Sequence, residues 1–389
     1  MTNRWLLPEN IADVLPGQSN LVESLRRDIL NLFESYGYEL VIPPMLEYIE
    51  SLMTATGSDM DLQTFKLVDQ LSGRTLGLRA DMTTQVARID AHILNRQNIA
   101  RLCYAGTTLQ TRVVPGIFSR EQLQLGAEIY GHQGIEADIE IVNLMIQSLE
   151  IAQVGPITLD VSHAGLLKDI LDKKQLSSDD ISEMYRFLQA KDRTSLQKLM
   201  QNWDQTAKNT ILSLLDLSGD AHYVLSQAQS KLPQSELSQK VLKDLELLCS
   251  GIKKTSAEIQ LNIDLADLDG FQYHTGILCA AYVSQYPVAI ARGGRYDQVG
   301  QAFGRSRPAT GFSVDLLALA SLSSKKIITH AIMAPWEDSD EFRNVVASLR
   351  NQGEIVIESF PGHEHNESSM NCNRRLVFEN QSWHVVPKN

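Results

Sequence analysis

Along residues 122–130 polar and apolar side chains take turns. Leu123, Leu125, Ala127 and Ile129 fall on one side, and Gln122, Gln124, Gly126, Glu128 and Tyr130 on the other. A period of two is the signature of a β-strand, whose successive side chains point to opposite faces. The apolar row predicts packing against the body of the domain. Taken by itself, the polar row reads as the wet face of an antiparallel sheet. A second β-type run, from Arg101, precedes it across a loop containing Val113-Val114-Pro115-Gly116, and the two predict a hairpin.

Elsewhere the period is 3.6. After Pro16-Gly17, Leu21, Leu25, Ile29, Leu32, Phe33 and Tyr36 share one face of a predicted helix that Gly37 ends. Residues 38–42 read as a strand stopped by Pro43-Pro44, which cannot donate to a ladder. A strand at 65–69 turns at Ser72-Gly73, and another at 76–78 feeds a helix from about Thr83, with Val86, Ile89 and Ile93 apolar. Arg79, Asp81, Thr83 and Thr84 therefore occupy a strand-to-helix junction. Capping of the helix by Asp81 or Thr83 accounts for such residues. Ligand binding at the helix start is the other use of such a junction.

Residues 138–152 predict an apolar helix, with Asp138 and Glu140 as helix-start charges, followed by a strand at 157–161. From His163 to about Thr255 Leu, Lys, Gln, Ser and Asp predominate, with a cap at Ser177-Ser178-Asp179-Asp180 and breaks at Ser218-Gly219 and Pro233, predicting a helical insertion. Strand character returns at 258–265 and within 270–283 and 286–297, where Gly293-Gly294 marks a close backbone approach. Residues 310–322 read as a short strand feeding an apolar helix. The last part predicts a β-run at 327–334, a helix at 341–351, a strand at 354–360 and a hairpin turning at Asn380-Gln381. Successive β-runs with short connections indicate an α+β fold.

At 389 residues, 43% apolar and 21% charged, the chain can build a large core in two or three domains. Its 35 Lys and Arg stand against 47 Asp and Glu, a net charge of −12 that weighs against a nucleic-acid partner. No apolar run approaches the ~20 residues that span a membrane, and the N-terminus lacks a secretory apolar stretch. Cys103, Cys249, Cys279 and Cys372 are scattered without CxxC spacing, as in free thiols of a reducing cytosol. Walker, GxGxxG, HExxH, EF-hand and GxSxG motifs are absent. His363, Glu364, His365 and Cys372 lack a second pair at zinc spacing, so no metal site is assigned. His132 and His163 read as structural. What remains is a polar pocket without visible catalytic machinery.

The order of these pieces resembles the class II aminoacyl-tRNA synthetases, and histidyl-tRNA synthetase in particular. YGYELVIPPMLE, from Tyr36, is similar to the dimer-forming first motif, LRADMTTQVAR to the LRPEGT segment, and QLQLGAEIYG to the QFHQFGVEVFG strand. GFQYHTG and ARGGRYD resemble the two histidine-specific segments. The resemblance covers roughly residues 5–320. It implies an antiparallel sheet flanked by helices, in two parts at 1–162 and 257–324. A helical insertion lies between them at 163–256, and a small C-terminal α/β segment at 325–389 is too short for the usual anticodon-binding domain.

The departures are informative. Where the family's FRxE arginine grips the ATP phosphate stands Gln110, which offers no charged fork. Where GLER ends in arginine stands Ala318, and the histidine-specific arginine aligns with Asp269. The amino-acid side is retained. Carried over by motif, Asp81 and Thr83 would meet the α-ammonium, and Gln124 and Glu128 the rest of histidine. Tyr273 and His274 match the paired tyrosines, and Arg295-Tyr296 keeps the GGRYD segment. A histidine pocket without ATP clamps resembles the regulatory subunits of ATP phosphoribosyltransferase. That likeness implies no catalytic residue and no cofactor in this chain, Mg²⁺ being used by its partner, a short-form catalytic subunit. It also implies a homodimer through the core, a hetero-octamer of four regulatory and four catalytic chains, L-histidine as effector, no tRNA, and a cytoplasmic location. A divergent histidyl-tRNA synthetase and a stand-alone histidine sensor are the alternatives.

Overall fold

The predicted first helix spans Gln18–Ser35 and buries Val22, Leu25, Ile29 and Phe33, one apolar side chain per turn. Gly37 follows with φ +81°, the left-handed conformation that a residue without Cβ adopts at no cost. The computed structural model describes residues 5–54, 58–113, 119–174, 176–267, 274–326, 330–362 and 372–388. The chain divides into two units, Met1–Lys325 and Lys326–Asn389.

Among the described residues, the first unit is built on a nine-stranded sheet. Next to one edge the hairpin strands Ala100–Leu109 and Glu121–Tyr130 pair antiparallel, and Ala309–Asp315 pairs with the second of them. Ala291–Arg295, Ile277–Val283 and Ile157–His163 continue the antiparallel order. Two pairings are parallel: Glu39–Leu40 with the first hairpin strand, and Ile157–His163 with Gln260–Asp264. The break at Ser218-Gly219 turns out to be a short strand, Ser218–Asp220, that closes the far edge of the sheet.

One face of the sheet carries the main core. Leu125, Ala127 and Ile129 lie there with Phe33, Ile141, Leu144 and Met145 from the helices Gln18–Ser35 and Ile135–Ala152. The insertion, from the helix Gly165–Lys174 to Glu236–Thr255, joins this core through Leu196, Ile211, Val241 and Leu245. The opposite face is covered at one end by Thr83–Arg88, which places Met82, Val86 and Ala87 on Leu102, Tyr104 and Tyr130. The polar row of the hairpin is therefore enclosed rather than wet. After Arg88 the helix widens into a π-helix, Ile89–Leu94, which rotates the apolar stripe. Ile93, expected inside, is 59% exposed.

Asp138 lies in the first turn of the helix Ile135–Ala152, as a helix-start charge, while Glu140 lies further along, and both are paired with arginines. Asp138 is buried against Arg295, and Glu140 takes a two-pronged bond from Arg101 at 2.7 and 2.9 Å and a third from the Tyr38 hydroxyl at 3.1 Å. Among the described residues no helix is long and apolar enough to cross a membrane.

Among its described residues, the second unit has a four-stranded sheet in which Ala331–Ala334 is parallel to both Ile355–Glu358 and Cys372–Glu379. The helix Asp340–Asn351 places Phe342 and Val346 on it. The predicted hairpin pairs Cys372–Glu379 with Ser382–Pro387, and both turn residues, Asn380 and Gln381, have positive φ. His363, Glu364 and His365 lie outside the described residues.

Candidate functional site

The pocket grows out of register. Tyr104 is paired with Gly126, Gly106 with Gln124, and Gly311, on the neighbouring strand, with Glu128. Each glycine leaves bare backbone where its large polar neighbour lies. A Cβ on Gly126 would sit 2.5 Å from the Tyr104 hydroxyl and 2.6 Å from the Phe312 carbonyl oxygen, and one on Gly311 would collide with the Glu128 carboxylate. These positions therefore accept no other residue without movement of the groups around them.

Glu128 is 1% exposed. Its carboxylate accepts a hydrogen bond from the Tyr104 hydroxyl at 3.0 Å and another from the Tyr296 hydroxyl. Burial raises its pKa to about 8, and the two phenols moderate the rise by donating to the charged form. Tyr296 also reaches the Tyr130 hydroxyl at 3.4 Å, and the two rings meet edge to face. On the other side Tyr104 lies 3.4 Å from the Thr83 hydroxyl. One chain of hydroxyls thus joins the start of the Thr83–Arg88 helix to the buried acid.

At the helix start Asp81 accepts the Thr83 amide at 2.7 Å, the capping geometry that its position suggested. Its second oxygen accepts from Gln124 Nε2 at 2.6 Å, and Gln124 Oε1 in turn accepts the Met82 amide at 2.9 Å. Capping residue and sheet residue form one polar unit. Asp81, Thr83, Gln124, Glu128 and Tyr296 are therefore brought together, and Tyr104 joins them. Tyr104 escaped sequence reasoning because its role depends on cross-strand pairing. The usable signal was its place on the same alternate row as Gly106.

Arg295 has a different place. Its Nε and Nη2 hold Asp138 at 3.1 and 2.7 Å, and its remaining N–H groups go to the His132 and Gly134 carbonyls and to Asp297. All its donors are engaged, so it fixes the start of the Ile135–Ala152 helix beside the pocket. The His274 ring packs on Gly294, within 2.7 Å of where a Cβ would stand. Tyr273 and Asp269 lie outside the described residues. Of the positions where the resemblance placed lost arginines, Gln110 Nε2 lies 3.5 Å from the Ala80 carbonyl oxygen, and Ala318 is in the short helix Leu316–Leu322.

The profile of the histidyl-tRNA synthetase family matches residues 10–319, and that of the ATP phosphoribosyltransferase subunit HisZ C-terminal domain matches residues 329–386. The ATP phosphoribosyltransferase regulatory subunit of Polynucleobacter asymbioticus is 53% identical over 386 residues, 99% of this chain and 100% of that one. The chain belongs to the ATP phosphoribosyltransferase regulatory subunits. The regulatory subunit of Cupriavidus metallidurans is 50% identical over the full length of both chains. In structure, an ATP phosphoribosyltransferase regulatory subunit/histidyl-tRNA synthetase from Bacillus halodurans is 25% identical with a TM-score of 0.81, covering 94% of this chain and 96% of its own. Histidyl-tRNA synthetase from Nostoc sp., 18% identical with a TM-score of 0.78 over 98% and 94% of the two chains, shares the fold. This regulatory subunit of histidine biosynthesis thus has a synthetase-like α+β core and serves a catalytic partner.

Proposed function

We propose that this regulatory subunit binds L-histidine in the Glu128 pocket, that its docking activates the short-form catalytic subunit, and that bound histidine turns activation into feedback inhibition. The observation that carries this reading is a buried carboxylate held by two phenols next to the Asp81–Gln124 pair. Asp81 and Thr83 would take the α-ammonium, Gln124 would orient the ligand, and Glu128 would hold the imidazole. Tyr296 and His274 would wall the pocket with Tyr273, and Arg295 would brace it. A cationic or N–H-donating ring suits a desolvated carboxyl group that has no positive partner among the described residues. Histidine must bind the two states of the complex unequally, because equal affinity shifts nothing.

Gln110 and Ala318 leave the former nucleotide side without the synthetase arginines, which supports a chain that performs no adenylation and carries no cofactor. Mg²⁺ belongs to the partner's reaction. The assembly proposed is a cytoplasmic hetero-octamer of four regulatory and four catalytic chains, with no tRNA, resting on a homodimer of this chain. Support for the homodimer is the edge strand Glu39–Leu40, beside which Leu40, Ile42, Met45 and Leu46 are exposed.

Calorimetry on the full chain should give a histidine signal that Glu128→Ala removes. Mixing with a short-form phosphoribosyltransferase should give a co-eluting complex with faster turnover, inhibited by histidine only when Glu128 is intact. Full inhibition of the Glu128→Ala complex would move the regulatory site elsewhere.

A further inference from the structure

Arg79 carries a positive charge that, among the described residues, is hydrogen-bonded only to carbonyl groups. It follows the Thr75–Leu78 strand and is 5% exposed. Its Nε donates to the Thr107 carbonyl at 2.8 Å and its Nη1 to the Pro43 carbonyl at 2.7 Å. Among the described residues nothing accepts from Nη2, and no carboxylate pairs with the guanidinium. The acid it feels, Glu47, already holds Arg88 at 2.6 Å and Gln85 at 2.8 Å. Burial pulls Arg79 below the usual arginine range, as expected of a cation stripped of water and not repaid by an anion. Carbonyl dipoles alone compensate a buried charge poorly.

The place of Nη2 shows where an anion would complete it. Gly106 stands opposite Gln124 in the hairpin, and the two point to the same face of the sheet. A Cβ on Gly106 would run into Arg79 Nη2 and lie 3.3 Å from Met82 Sδ. The edge of the guanidinium thus lies on bare backbone beside Gln124, at the Asp81 end of the pocket and away from Glu128. The ligand would then meet complementary protein groups at three points: its ammonium at Asp81, its imidazole at the Glu128 carboxyl, and its anion at Arg79.

We propose that Arg79 binds the α-carboxylate of the effector, so that the site selects the zwitterionic amino acid over analogues that lack the carboxylate. The proposal rests on the reading of the pocket as a histidine site. It assigns the carboxylate to a residue on the Asp81 segment, in a chain where Gln110 and Ala318 offer no cation.

Calorimetry on the full chain with L-histidine, L-histidinol and histamine tests it, since the three share an ammonium and an imidazole. Histidine should bind at least about tenfold more tightly than either analogue, the order expected of a charge-assisted hydrogen bond. Arg79→Gln should bring histidine down to the level of histamine while leaving histamine itself unchanged. Should that variant fail to fold, Gly106→Ala puts a methyl where Nη2 lies and should cause the same collapse of preference. Equal binding of histidine and histamine to the unaltered chain would overturn the proposal and leave the pocket reading standing. A folded Arg79→Gln or Gly106→Ala protein that keeps the full preference would overturn it too. Absence of histidine binding would end both.

Discussion

Gly311 and Glu128 face each other across antiparallel strands, and the carboxylate occupies the space that any side chain at 311 would need. The buried acid of the pocket therefore depends on a glycine far along the chain. Gly311→Ala should displace Glu128, destabilise the chain by about 1–3 kcal/mol as overpacking does, and abolish histidine binding. Urea denaturation and calorimetry on one preparation check both effects.

Glu128 gives the chain a pH dependence with a definite sign. Its pKa is raised by burial from 4.5 to about 8, so the folded state keeps a proton that the unfolded state releases in that window. Its contribution to stability is full below pH 4.5 and is lost as pH rises toward 8. Glu128→Gln should remove that decline, so that its stability relative to the unaltered chain grows from pH 5.5 to pH 8.5. Urea midpoints at the two pH values would show it.

Arg295 and Asp138 form a buried ion pair at 2.7 Å that braces the pocket. Removing one partner leaves the other charged and unpaired, at a cost of about 3–5 kcal/mol. Arg295→Met alone should therefore be strongly destabilising, and a paired Arg295→Met, Asp138→Leu chain should recover much of the loss. A double-mutant cycle by denaturation measures the coupling.

Ile42 is 83% exposed beside the edge strand Glu39–Leu40. If that face joins two copies, Ile42→Glu buries a charge in the joint and should shift the chain to monomer at micromolar concentration. Sedimentation velocity decides the point.

In the second unit, Asn380 and Gln381 take φ of +49° and +63° in a two-residue hairpin turn. A left-handed residue with a Cβ costs about 1–2 kcal/mol, and glycine avoids that cost. Gln381→Gly should raise stability by about 1 kcal/mol, read as a higher urea midpoint.

Local pattern made much of this legible. The alternation at 122–130 located a strand and put Gln124 and Glu128 on one face, and the change of period located the helices around it. The junction at Asp81 and Thr83 showed in its polar residues, and the same Asp81 side chain both satisfies the helix start and holds Gln124. Tyr104, Gly311 and the charge on Arg79 were not legible as parts of a site. Their meaning arises from which strand lies beside which, and no local period encodes that.

The sequence by itself determined the strands, the helices, the family resemblance and a set of polar residues aligned on one face. Only the tertiary structure decided that this face is dry. Sheet register set glycines opposite the large polar groups, and the Thr83–Arg88 helix covered them. Removed from water, Glu128 gains its raised pKa and Arg79 its lowered one. Burial is a property of the whole fold, and it turns an ordinary polar row into the desolvated groups on which the proposed histidine site rests.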